Sequence, residues 1–171
     1  MFESLIRTIP DYPKPGIQFR DITTLLQDKR GFSAAIDSLS KQFEPHTFDK
    51  IVAMEARGFI IGAALAVKMG IGFVPARKPG KLPSATVTQT YTLEYGVDTL
   101  EMHQDAILPG ERFLLVDDLI ATGGTALAVV ALVRQLGGVL EHAAFVIDLP
   151  ELGGMQQLEN AGVQGFALCQ C

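Results

Sequence analysis

Residues 114–125, LLVDDLIATGGT, decide the fold class of this chain. Three apolar residues lead into two adjacent carboxylates, Asp117 and Asp118, and the turn TGGT at 122–125 then opens a long helical pattern. A buried strand that runs into acids and a glycine-threonine turn is typical of α/β proteins, which bind ligands at the carboxyl ends of parallel strands. The free N–H groups and the positive dipole end at the helix start favour a phosphate, so the segment predicts a site for a phosphorylated sugar.

Strand and helix patterns alternate on both sides of this segment. Predicted strands cover 51–54, 72–76, 99–102, 112–116, 143–147 and 165–169. Predicted helices cover 29–43, 58–69, 124–136 and 155–160. This order predicts a single α/β domain over 1–171, in which a mainly parallel, twisted sheet is flanked by helices on both faces.

Two further segments are expected to lie outside the sheet. The spacing of Phe2, Leu5, Ile6 and Ile9 predicts a short N-terminal helix that ends before Pro10. Residues 79–95 are polar, rich in threonine and β-prone without a strong apolar face, which predicts a mobile two-stranded flap.

Composition excludes several classes of function. A net charge of −5 without any basic run argues against nucleic-acid binding. No apolar stretch approaches the roughly twenty residues of a membrane span, and the N-terminus lacks the pattern of a secretory signal. Cys169 and Cys171 are expected to be reduced thiols of a cytoplasmic protein. His46, His103 and His142 show no metal-ligand spacing, so no protein-held metal is expected.

At the residues of LLVDDLIATGGT the chain resembles the phosphoribosyl-pyrophosphate (PRPP) signature of the type I phosphoribosyltransferases. Residues 13–22 (PKPGIQFRDI), 55–59 (EARGF), 77–83 (RKPGKLP) and 93–96 (LEYG) resemble the adenine-using members of that family. The resemblance runs from about residue 5 nearly to the C-terminus. It implies a pentosyltransferase of purine salvage that makes AMP and pyrophosphate from adenine and PRPP. It also implies a small hood over about 1–30, a flap over about 79–95 and a homodimer.

The resemblance also implies how PRPP is bound. The carboxylates of Asp117 and Asp118 accept the ribose hydroxyls. The loop that holds the 5′-phosphate consists of Ala121, Thr122, Gly123, Gly124 and Thr125. The cations that contact the pyrophosphate are Arg57, Arg77, Lys78 and Lys81, the last from its own or the partner subunit. Mg²⁺ is held mainly through PRPP oxygens and water, since this ion keeps several waters and uses few protein ligands.

Catalysis and base recognition are assigned by the same resemblance. Glu94 is the candidate acid/base or charge stabiliser, delivered by closure of the flap, and Tyr95 accompanies it. Phe19 is the stacking candidate for adenine, and Leu119 or Ile120 forms the opposite apolar wall. The adenine edge is expected to meet the main chain near Gln18 and Arg20.

Competing functions differ at specific positions. Enzymes that use hypoxanthine and guanine resemble this motif but place an aspartate where Ala121 stands, so that substrate pair is disfavoured. A xanthine or other purine phosphoribosyltransferase remains an alternative, because such enzymes also carry alanine there. A PRPP-sensing transcription regulator would need an added DNA-binding element, for which 171 residues with negative net charge leave no room.

Overall fold

The structure, a computed structural model, describes residues 2–93 and 96–171. After a 3-10 turn at Glu3–Leu5, the chain forms an antiparallel pair of strands, β1 (Arg7–Pro10) and β2 (Gln18–Asp21). The N-terminal helix predicted from residues 2–9 is therefore wrong. Residues 7–10 are extended because their backbone pairs with β2, and Arg7 donates to Asp21 through both Nε (3.1 Å) and Nη2 (2.5 Å).

The central sheet has five strands, all parallel, in the order β4-β3-β7-β8-β9. The remaining elements in chain order are α1 (Thr23–Gln27), α2 (Lys29–Gln42), β3 (Lys50–Met54), α3 (Arg57–Met69), β4 (Gly72–Ala76), β5 (Thr86–Thr92), β6 (Val97–His103), β7 (Arg112–Ile120), α4 (Gly124–Gln135), β8 (Val139–Asp148), α5 (Gly154–Asn160) and β9 (Gln164–Gln170). The predicted fold class is confirmed. Within the described ranges, no helix is long and apolar enough to cross a bilayer.

Hydrophobic residues cover both faces of this sheet. Leu114 and Val116 of β7 pack with α2 and α3 on one face, whereas Phe113 and Leu115 pack with α4 on the other. Side chains alternate along a strand, so a strand buried on both faces needs an unbroken apolar run. This requirement explains why residues 113–116 are all apolar and all fully buried.

β7 extends further than the sequence predicted. A strand was expected over 112–116 with the two acids beyond its end, but β7 continues to Ile120. The extension forms because β8 continues beside it and pairs Asp117 with Phe145 and Leu119 with Ile147. The two carboxylates are therefore held on a strand rather than on a loop.

An antiparallel hairpin, β5 and β6, lies beside the sheet. The two-stranded flap predicted within residues 79–95 is therefore wrong in its bounds: the described part of that range contains only β5, which pairs with β6 because the chain turns back after it. The strand predicted over 99–102 is part of β6. The segment before β5 is attached to β6, because Arg77 and Glu101 exchange two backbone hydrogen bonds of 3.0 and 2.7 Å. The hairpin thus connects the basic turn at 77–81 to the region above β7.

Candidate active site

A cavity of about 540 Å³ lies at the carboxyl ends of β3 and β7. This position follows from the topology, since parallel strands end on one edge of the sheet and helices begin there. Predicted site residues that line the cavity are Arg57, Lys78, Asp117, Asp118, Leu119, Ala121, Thr122, Gly123, Gly124 and Thr125. Residues separated by more than sixty positions in the sequence therefore meet in one space.

The phosphate loop, residues 121–125, ends at the start of α4. The N-cap residue is Gly123, with φ +87°, and it offers no side chain to cap the first N–H groups of the helix. α5 packs beneath the loop, where Gly154 N donates to Ala121 O at 3.0 Å. A Cβ at position 154 would lie 2.4 Å from that oxygen, so only glycine fits. The loop thus presents uncapped N–H donors to the cavity, which suits a phosphate.

Asp117 and Asp118 lie side by side at the floor of the cavity. Asp118 is buried, and its Oδ2 lies 2.5 Å from Arg57 Nε in a close ion pair without hydrogen-bond alignment. Asp117 Oδ1 accepts from Asp118 N at 2.8 Å. Desolvation, and then the charge of Asp118, raise the pKa of Asp117 well above its ordinary value. Both side chains keep acceptor capacity for ligand hydroxyls.

Gly58 allows α3 to begin against this pair of carboxylates. A Cβ at Gly58 would lie 2.6 Å from Asp117 Oδ1, and any side chain there would displace the carboxylate. Gly58 was not among the residues predicted for the site. The available signal was a glycine directly after Arg57 at a predicted helix start.

Four cations were expected at the pyrophosphate, and two of them line the cavity. Arg57 and Lys78 line the cavity, whereas Arg77 and Lys81 lie outside its lining. Arg77 Nε donates to Glu55 Oε1 at 3.2 Å, and its guanidinium lies 5.9 Å from the ring centre of Phe59. Arg77 Nη1 also donates to the Lys81 carbonyl at 3.4 Å, which shapes the basic turn.

Glu55 at the end of β3 organises the basic turn. The same Oε1 that accepts from Arg77 also accepts from Lys78 N at 2.8 Å. The Lys78 ammonium in turn pairs with Asp98 Oδ2, which also accepts from Tyr91 OH at 3.3 Å. These contacts of Glu55, Asp98 and Tyr91 were not predicted from the sequence. No local pattern indicates them, because Lys78 is twenty or more residues from Asp98 and Glu55, and Tyr91 meets Asp98 only across two paired strands.

The expected adenine-binding residues lie on β2 and β7. Gln18, Phe19 and Arg20 belong to β2 and are outside the cavity lining, whereas Leu119 is part of it. The guanidinium carbon of Arg57 lies 5.1 Å from the ring centre of Phe19, and so connects β2 to the carboxylate pair. Tyr12 packs edge-on against the same ring, with 5.2 Å between ring centres.

Glu94 and Tyr95, the expected catalytic residues, lie outside the described residues. Their described neighbour Leu93 lines the cavity and donates its backbone N–H to Gly96 O at 2.9 Å. This hydrogen bond joins the two described residues on either side of them.

Among the described residues, four carboxylates line the cavity, and two of them, Glu55 and Asp98, are engaged with the basic turn. Across residues 2–93 and 96–171, no group of three or more His, Cys, Asp or Glu side chains could hold a metal ion. Asp117 and Asp118 supply hard oxygen donors of the kind that Mg²⁺ prefers, but too few to hold it alone. The site therefore fits a magnesium ion that is coordinated mostly by its ligand and by water.

Comparisons with known proteins agree on one family. Residues 22–156 match the model of the phosphoribosyl transferase domain. The chain is 54% identical over 168 residues to the adenine phosphoribosyltransferase of Pseudoalteromonas atlantica, covering 98% of this chain and 94% of that protein.

Solved structures lead to the same family. The crystal structure of adenine phosphoribosyltransferase from Thermoanaerobacter pseudethanolicus matches with a TM-score of 0.96 at 48% identity, covering 99% of this chain and 98% of that one. The Saccharomyces cerevisiae enzyme, in complex with an iminoaltritol bisphosphate and adenine, matches with a TM-score of 0.91 at 38% identity and covers 98% and 96% of the two chains.

Proposed function

Because this chain belongs to the adenine phosphoribosyltransferase family, we propose that it transfers the 5-phosphoribosyl group of PRPP to adenine and releases AMP and pyrophosphate. One observation carries the proposal. A single cavity is lined by the uncapped start of α4, the carboxylates of Asp117 and Asp118, and the cations of Arg57 and Lys78. Each group matches a different part of PRPP.

The binding of PRPP follows from the chemistry of these groups. The 5′-phosphate binds the N–H groups of residues 121–125 and the hydroxyls of Thr122 and Thr125. Asp117 and Asp118 accept the ribose hydroxyls in charge-assisted hydrogen bonds. Arg57 and Lys78 contact the pyrophosphate from the cavity wall. Arg77 and Lys81 join them from the adjoining basic turn, Lys81 in its own or the partner subunit.

The reaction is a displacement at C1′ of the ribose. The bond from C1′ to the pyrophosphate oxygen breaks, a bond from adenine N9 to C1′ forms, and the proton on N9 is lost. Positive charge builds on the ribose and negative charge on the leaving group in the transition state, so the aspartates and the cations stabilise opposite ends of it. Glu94, brought in beside Tyr95, stabilises the reacting base or takes its proton.

Adenine binds between the ring of Phe19 and the apolar side chain of Leu119. The Arg57 guanidinium lies over the Phe19 ring and reaches Asp118, so the ring and the ribose site are separated by a single side chain. The base edge meets the main chain of β2 near Gln18 and Arg20.

Mg²⁺ would bind together with PRPP, held mainly by PRPP oxygens and water. When bound, it adds positive charge at the leaving group. The chain's contribution is the pair Asp117 and Asp118, whose neighbouring charges favour a cation close by.

We also propose an oligomeric state for the protein. The outward side of α3 exposes Ile60 and Val67, at 46% and 84% of their surfaces, and these apolar side chains lie two helical turns apart. We infer a homodimer that buries this side of α3.

The hood over 1–30 and the flap over 79–95 act as small covers of one domain. Free Cys169 and Cys171 suit the reducing cytoplasm.

A side-by-side assay tests the function. Purified protein with Mg²⁺ and PRPP is offered adenine, hypoxanthine, guanine or xanthine, and the nucleotide product is measured. Adenine should be preferred by a wide margin. Equal or better turnover of xanthine would favour the other purine enzymes and reject this substrate. The absence of any PRPP-dependent product would reject the transferase activity altogether.

A further inference from the structure

Asp98 is a carboxylate on β6 that the reaction described above does not use. It lines the cavity together with Lys78 and Tyr91, and about a quarter of its side-chain surface (27%) is exposed. Its Oδ1 accepts from Thr99 N at 2.8 Å. Its Oδ2 accepts from Tyr91 OH at 3.3 Å and pairs with the Lys78 ammonium. Both oxygens are therefore engaged, and the carboxylate has a fixed direction.

Asp98 is supported by the packing of the β5–β6 hairpin. Tyr91 is directly opposite Asp98 in the β5–β6 register and packs against the core on the α4 face of the sheet. The hairpin also rests on the phosphate loop. A Cβ at Gly124 would lie 3.4 Å from Thr92 O and 3.8 Å from Tyr91 Cδ2. Asp98 thus lies on a hairpin that approaches the loop proposed to bind the 5′-phosphate.

Lys78 is held at both of its ends. Its backbone N–H donates to Glu55, and its ammonium pairs with Asp98. Between these contacts the side chain is 43% exposed, so without a partner its long stem would sample many directions in solvent. An ammonium has three donors, and the contact with one carboxylate oxygen leaves donors for an anion in the cavity.

We propose that Asp98 is a positioning residue for the pyrophosphate end of PRPP. It holds the Lys78 ammonium at the cavity wall and, through Tyr91, connects that cation to the β5–β6 hairpin. The proposal rests on the proposed function, in which Lys78 contacts the pyrophosphate. The alternative is a simpler effect, in which the Asp98 carboxylate competes with pyrophosphate for the Lys78 ammonium.

The two effects of Asp98 have opposite experimental signs. If fixing the direction of Lys78 dominates, Asp98→Asn weakens pyrophosphate binding, because a neutral amide holds an ammonium poorly. If competition dominates, the same substitution strengthens binding.

Steady-state kinetics with adenine and PRPP test the proposal. Asp98→Asn should raise KM for PRPP roughly tenfold, since a hydrogen bond to a charged group contributes about that factor, with kcat and KM for adenine little changed. Asp98→Glu should restore part of the loss. Tyr91→Phe, which removes one hydroxyl, should shift KM for PRPP in the same direction by less. Asp37→Asn, in the exposed pair with Lys68 (2.9 Å), is the matched control and should have no effect.

Calorimetry with pyrophosphate and Mg²⁺ separates this proposal from the function itself. Asp98→Asn should weaken pyrophosphate binding in the wild-type background and add nothing in a Lys78→Gln background. A PRPP KM at or below the wild-type value in Asp98→Asn would overturn the positioning role, as would an additive loss in the double variant. If Asp98→Asn does not fold, an unchanged KM for PRPP in Tyr91→Phe would overturn it instead. Failure of the proposed function would be visible separately, as wild-type protein that does not use adenine.

Discussion

At position 117, folding and ligand binding place opposite demands on one side chain. Asp117 is desolvated and lies beside the negative charge of Asp118, so its ionised form costs folding free energy and its pKa is raised. Acceptance of ribose hydroxyls, in contrast, is strongest for the ionised form. The folded protein is therefore expected to be less stable with an ionised Asp117 than with a neutral residue at this position.

Asp117→Asn should stabilise the protein and weaken PRPP binding. A raised pKa contributes stability that is present at low pH and lost as the pH rises through that pKa, and an amide avoids the loss. The Tm advantage of the variant should therefore grow with pH between 5 and 8, measured without PRPP and Mg²⁺. For a chain of this size, about 1 kcal/mol corresponds to roughly 2–4 °C. A Tm difference that does not grow with pH would contradict this account.

Asp118→Asn should change stability in the opposite direction. The carboxylate is buried and paired with Arg57 at 2.5 Å, so an amide removes the ion pair and leaves the arginine without its anion. PRPP binding should weaken here as well, because an amide accepts ribose hydroxyls poorly. Thermal unfolding and PRPP titration of the two variants side by side check the contrast. A wild-type PRPP affinity in both would mean that neither carboxylate binds the ribose.

Local sequence patterns predicted the interior elements better than the edge elements. The apolar run 113–116 indicated a buried strand, and TGGT indicated the start of α4, because both signals depend only on neighbouring residues. The acids were placed beyond β7 because pairing of Asp117 with Phe145 is a property of the partner strand. The helix predicted before Pro10 failed for the same reason, since β2 draws that segment into a sheet.

The same limit applied to the site. Asp117, Asp118 and residues 121–125 follow one another in the chain, so their order indicated their chemistry. Asp98 meets Lys78 only because β6 folds back over the basic turn, and an isolated aspartate in a threonine-rich segment carries no signal of that contact. The sequence indicated the residue types of the site but not the contacts between distant elements.

The β5–β6 hairpin is expected to deliver the chemistry carried between its strands. Glu94→Gln keeps the size of the side chain and removes its charge, so kcat should fall on the order of a hundredfold with PRPP binding little changed. Tyr95→Ala should cause a similar loss, and the double variant should be no worse than either, because both act through the same closure. Steady-state kinetics measure this directly. A normal kcat in Glu94→Gln would mean that charge neutralisation by the cations and Mg²⁺ is sufficient.

An aromatic cluster joins the end of α2 to the outer strands of the sheet. The rings of His46 and His142 are 4.2 Å apart between centres, and both lie near Phe43 and Phe48. Desolvation, and then the charge of His46, lower the pKa of His142 below its ordinary value of 6.5. The stability from this group is present above that value and is lost as the pH falls.

His142→Gln should reduce the acid sensitivity of the fold. The variant cannot gain the half-buried charge, so its Tm should fall less than that of the wild type between pH 7.5 and about 5.5. The comparison uses the difference between the two proteins, which cancels the opposite trend from Asp117. Equal pH dependence in both would show that His142 titrates as it does in the unfolded chain.

For the whole molecule, the exposed apolar side of α3 predicts dimerisation. Val67→Asp places a charge in the proposed interface and should give a monomer with reduced activity, measured by light scattering at the assay concentration. Leu108→Asp is the matched control, since Leu108 is also an exposed apolar residue, at 64%, but lies on another part of the surface. A fully active wild-type monomer under these conditions would exclude the homodimer.

Arg57 has a consequence for the timing of catalysis. Its guanidinium lies over the Phe19 ring that adenine is proposed to use, and it is held there by Asp118. If pyrophosphate binds Arg57 and moves it away from this ring, the sugar donor should arrive before the base. Calorimetry should show adenine binding at least about tenfold more tightly with pyrophosphate and Mg²⁺ than alone, and Arg57→Ala should abolish the difference. Equal adenine affinity in both conditions would mean that the two substrates bind in either order and that Arg57 does not control the order.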